Sequence, residues 1–68
     1  MEELFKQALS LIEDDAHWLD DAGQHCQDLA SKLSEQERAN WRLLTEFYRE
    51  RAKSHRELAA KMRHWLDR

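Results

Sequence analysis

The chain has 68 residues, a formal net charge of −3, one cysteine, one glycine and no proline. That length holds one small domain; a single cysteine excludes an intramolecular disulfide, and the scarcity of turn-forming residues excludes most β architectures. Charged residues make up 37% of the chain, but the leucines and aromatics suffice for a packed face, and no apolar run is long enough for a signal peptide or a membrane span, so the composition predicts a soluble cytoplasmic protein with no membrane contact.

In the first half, Phe5, Ile12, Leu19, Cys26 and Leu33 recur every seven residues, and Leu9, Ala16, Gly23 and Ala30 fill the alternate position. This is the spacing of a helix packed along its whole length against another helix. Glu2 and Glu3 suit the positive end of the helix dipole and Lys32 the negative end. Gly23 either marks a kink or, the preferred reading, belongs to a small column with Ala16 and Ala30 that lets a neighbouring helix come close. Beside the seam runs a second apolar strip of Leu4, Leu11, Ala22 and Leu29, with Trp18 at its margin.

Ser34-Glu35-Gln36-Glu37 has the form of a capping box, with the Ser34 hydroxyl accepting from the Glu37 amide and the Glu37 carboxylate reaching back to Ser34. A second helical pattern follows. Trp41, Leu44, Tyr48, Ala52, His55, Ala59, Met62 and Leu66 form its packed stripe, with Trp41 a core residue near the turn. Phe47, Leu58 and Trp65, with Leu43 at the edge, form a second strip. Thr45, Ala52 and Ala59 make a small column, and Arg38, Arg42, Arg49, Arg56 and Arg63 a basic band on the opposite flank. Lys61, Arg63, His64 and Arg68 suit the C-terminal end of the dipole. The predicted architecture is all-α, one domain over 1–68: a helix over about 2–32, a turn at about 33–35 and a helix over about 35–67.

Closing the hairpin about Ser34 makes the numbers of facing residues sum to about 69, which predicts ion pairs Glu13–Arg56 and Asp20–Arg49 on one edge. The other edge collects Leu4, Leu11, Trp18, Leu29, Leu43, Phe47, Leu58 and Trp65. A contiguous apolar edge of this kind calls for a partner. The simplest is a second copy, making an antiparallel four-helix bundle as a homodimer.

Chemical motifs are sparse. Asp14-x-x-His17 has the acid-to-histidine spacing of di-metal carboxylate bundles, with His55 and Glu57 at about its height, but it points away from the apolar seam. No metal site and no cofactor are predicted. His55 lies on the apolar stripe, where a hydrogen bond to Tyr48 or a carboxylate would satisfy it; a pH-sensitive interface is the other reading. Cys26 reads as a small buried hydrophobe. No nucleophile has a positioned base and there is no Gly-rich phosphate loop, so the chain does not read as an enzyme.

Arg49-x5-His55, preceded by Glu46, resembles the arginine–histidine signature of HEPN-type ribonucleases over about ten residues. The resemblance implies that Arg49 and His55 would cleave RNA at a dimer interface. The predicted function is instead a protein–protein interaction module, a small adaptor, regulator or inhibitor that acts through helix faces. The alternatives are an RNA-binding hairpin dimer similar in architecture to the Rop type, using Arg42, Arg49 and Arg56, and a metal-binding bundle.

Overall fold

The computed structural model describes residues 2–67 and contains two helices, α1 (Glu2–Ala30) and α2 (Glu35–Leu66). They pack along their length as a hairpin measuring 50 × 14 × 12 Å between Cα extremes. The 50 Å length is that of about 32 residues rising 1.5 Å each. The all-helical hairpin is therefore as the periodicity predicts. α1 stops at Ala30, so Lys32 lies in the connection and not in the last helical turn. Arg68 lies outside the described residues.

The connection, residues 31–34, tightens the end of α1. The Lys32 and Leu33 amides donate to the carbonyls of Leu29 and Ala30, at 3.1 and 3.2 Å. These i→i−3 bonds use carbonyls that the helix end would otherwise leave open. The Ser31 hydroxyl donates to the Asp28 carbonyl at 2.7 Å. No residue with positive φ is needed for the reversal.

Ser34 is the N-cap of α2, in extended geometry, but its side chain makes no capping hydrogen bond. The predicted capping box is thus corrected to a capping position only. Residues 34–37 are all exposed, so water can satisfy the free amides of the first turn. Arg38 fastens the junction instead: its amide donates to the Ser34 carbonyl at 2.9 Å, and its Nε to the Leu33 carbonyl at 3.0 Å.

The seam between the helices is built mostly from small residues. Leu9, Ala16, Gly23, Cys26 and Ala30 are buried from α1, and Thr45, Ala52 and Ala59 from α2. Among the described residues Leu9, 4% exposed, is the only large side chain buried there. The Thr45 hydroxyl donates to the Trp41 carbonyl at 2.9 Å, which satisfies the buried polar group. Phe5, Ile12, Leu19, Trp41, Tyr48, Met62 and Leu66 are half-buried along the margins. Trp41 is therefore a margin residue and not a core one. Leu44, read above as part of the packed stripe, is 37% exposed. It precedes Thr45 by one residue, about 100° round the helix and out of the seam.

Gly23 lies within an unbroken α1 and introduces no change of helical structure. A Cβ there would meet the Arg49 Cγ and Tyr48 Cβ at 3.6 Å and the Thr45 carbonyl oxygen at 3.7 Å, ordinary van der Waals contacts. The close approach of the helices therefore tolerates alanine. Gly23→Ala should stabilise the fold by about 1 kcal/mol, because helix propensity improves with no compensating clash. Thermal unfolding followed by circular dichroism should show a higher midpoint. A lower one would mean that the seam has no room for the added methyl.

Candidate functional site

The hairpin has two unlike edges. On the closed edge, Arg63 binds Glu13 through Nη2, 2.6 Å from each carboxylate oxygen, and through Nε at 3.1 Å. Arg56 pairs with Asp20, and the Arg49 guanidinium donates to the side-chain carbonyl of Gln27. The Glu13 carboxylate, by hydrogen bonding first and by charge second, raises the pKa of Arg63 above its ordinary value.

These pairs correct the predicted Glu13–Arg56 and Asp20–Arg49. The flank is right and the partner is one heptad further along. The backbone is close to the expected register, since Gly23 faces Thr45, Tyr48 and Arg49, numbers that sum to between 68 and 72. The side-chain pairs sum to 76. The difference follows from the lean of helical side chains toward their own N-terminus. In an antiparallel pair the acids of α1 lean away from the turn and the arginines of α2 lean toward it. Each acid therefore meets the arginine beyond the one at its own height.

The shift divides the basic band. Arg56 and Arg63 are held by carboxylates, whereas Arg49 has a neutral amide for a partner. Among the described residues Arg42 has no hydrogen-bond or ion-pair partner, and Arg38 is bonded to a backbone carbonyl. Arg38, Arg42 and Arg49 line a groove beside the turn together with Gln27, Ala30, Ser31, Thr45 and Glu46. Of the three arginines assigned to nucleic acid, Arg42 and Arg49 face this groove and Arg56 is committed to Asp20.

The open edge is apolar. Leu4, Leu11, Trp18, Leu43, Phe47, Leu58 and Trp65 are between 48% and 67% exposed, and Leu29 is half-buried. Leu44 joins this surface. At its middle Trp18 and Phe47 each meet Tyr48 edge to face, with ring centres 6.1 and 5.8 Å apart, and the Arg51 guanidinium sits 5.8 Å from the Phe47 ring centre. At the far end a shallow recess is lined by Glu2, Phe5, Trp65 and Leu66.

This arrangement leaves much surface in water. The chain exposes 5591 Å², where a compact monomer of its mass would expose about 4,500 Å². Its radius of gyration is 15.5 Å, against about 11 Å for a compact chain of this length.

The remaining sequence motifs do not assemble into a reactive centre. Asp14 and His17 are exposed, and His17 lies 3.6 Å from Asp21 on its own helix. Among the described residues no group of three or more His, Cys, Asp or Glu is placed to hold a metal ion. His55 is half-buried beside Trp18 and Leu19, but its Nδ1 proton goes to the Arg51 carbonyl at 2.8 Å and not to Tyr48 or a carboxylate. A carbonyl one turn earlier on the same helix is simply nearer. Arg49 and His55 lie about 120° apart around α2, one on each edge, so the chain does not bring the HEPN-like pair together. Cys26 is 5% exposed.

Comparison with protein-family models, curated proteins and solved structures gives no match. The closed-edge register is testable by double-mutant cycles on thermal stability. Reversing Glu13 to Arg should be rescued in part by Arg63→Glu and not by Arg56→Glu. Coupling of Glu13 to Arg56 and additivity with Arg63 would contradict the observed pairing.

Proposed function

We infer that the protein is a non-enzymatic interaction module of the cytoplasm, a small adaptor, regulator or inhibitor whose working form is a homodimeric four-helix bundle. What carries this reading is an inversion: apart from Leu9 the seam is made of alanines and other small residues, while most of the leucines, the tryptophans and Phe47 lie outside it. A small-residue seam removes little apolar surface from water, at about 25 cal/mol per Å². Most of the available hydrophobic stabilisation is therefore realised only when the open edge is covered.

Three features favour a second copy as the cover. The strip runs the full length of the hairpin, from Leu4 and Trp65 at one end to Leu29 and Leu43 at the other, and a partner of equal length matches it. The surface in excess of a compact monomer, roughly 1,000 Å² by the mass scaling, is about what one protomer contributes to a standard interface. Asp15 and Arg51 beside Trp18 offset each other in charge, so two copies are not repelled there. The charged outer faces of the bundle are then the surfaces left for another protein. A lone buried cysteine suits a reducing compartment.

The RNA-binding alternative rests on one observation, that Arg42 and Arg49 lack carboxylate partners. Against it stands the chain's net charge of −3 and the pairing of Arg56.

The dimer is tested by sedimentation of Leu11→Asp and Trp65→Asp, each of which places a charge on the open edge. Both should sediment as monomers and unfold at lower temperature than the parent chain. Dimers with unchanged melting would exclude this edge as the interface.

A further inference from the structure

We propose that the groove beside the turn, walled by Arg38, Arg42 and Arg49, is a binding site for a phosphate monoester group. It goes beyond the interaction-module reading and does not depend on the open edge. Along the closed edge, α1 presents Glu13, Asp20 and then Gln27, while α2 presents Arg63, Arg56, Arg49 and then Arg42. The acids end two heptads before the arginines do. Beyond Asp20 the residues that line the groove opposite α2, Gln27, Ala30 and Ser31, are all uncharged.

At about 100° per residue, Arg38, Arg42 and Arg49 fall within roughly 40° of one another on one helix face, the first two about one turn apart and the last two about two turns apart. Ala30 and Thr45 make the floor low, and the Arg38 guanidinium is oriented by its bond to the Leu33 carbonyl. The groove also includes Glu46, so three guanidinium groups and one carboxylate leave a formal charge of +2. That matches the charge of a phosphate monoester, about −1.5 to −2 at neutral pH, and planar guanidinium donors suit its oxygens. Single-stranded nucleic acid would want aromatic rings interleaved with the arginines. Here Trp18, Phe47 and Tyr48 cluster on the open edge instead.

The test titrates the full chain with inorganic phosphate at constant ionic strength, following arginine Nε–H and backbone amide signals by NMR. Saturable shifts confined to Arg38, Arg42, Arg49 and Ser31 are expected. Arg42→Gln combined with Arg49→Gln should weaken binding by about tenfold or more, since charge-assisted hydrogen bonds are lost. Arg56→Gln should leave it unchanged; circular dichroism verifies that each variant is folded. A phosphoserine peptide that binds more tightly than inorganic phosphate would assign the group to a partner protein's side chain, and equal binding to a free phosphate compound; both sustain the site. Shifts that do not saturate, or equal weakening by Arg56→Gln, would overturn it. So would tighter binding of a short single-stranded RNA with contacts extending to Arg56 and Arg63, which would make the band a nucleic-acid surface.

Discussion

The structure depends on how closely two backbones approach across Ala16, Gly23, Ala30, Thr45, Ala52 and Ala59. Small side chains bring the helices together but leave little room between them for larger apolar groups, and apart from Leu9 these are displaced to the margins. On one margin arginines and acids fill the space; on the other, leucines and aromatics do. The hairpin is thus a half-structure in hydrophobic terms. Its inner contact sets geometry, and its outer face holds most of the apolar area that could be withdrawn from water.

The closed edge gives that geometry a direction. Exposed ion pairs contribute little to stability, yet their register here is specific because both side chains lean along the helix that carries them. The same lean that joins Glu13 to Arg63 and Asp20 to Arg56 leaves Arg49 with Gln27 and Arg42 with nothing acidic opposite. A local covalent property, the tilt of the Cα–Cβ bond, therefore decides which cations are available at the turn end of the molecule.

Most of the fold was legible in the sequence because helical periodicity is a strong signal when it persists over thirty residues without proline. The apolar edge was legible for the same reason: Leu4, Leu11 and Trp18 cannot share a face with Ala16 and Gly23. What the pattern could not convey was anything that depends on side-chain direction or on competition with water. The capping box at Ser34 has the right residues, but its amides are open to solvent and Arg38 holds the junction. His55 reads as satisfied by Tyr48 or an acid until the nearer carbonyl of Arg51 is seen. The basic groove was hidden inside a uniform arginine column, and only the ion-pair register separates Arg42 and Arg49 from Arg56. A comparison of both flanks heptad by heptad, noting that Gln27 follows Glu13 and Asp20, was the available clue.

We propose that a second copy of the chain covers the exposed apolar edge. Light scattering coupled to size exclusion, at micromolar concentration and in both low and high salt, tests it most directly. Burial of an apolar face predicts twice the chain mass in both conditions, since salt screens charges and not hydrophobic contacts. A particle of single-chain mass would contradict the account.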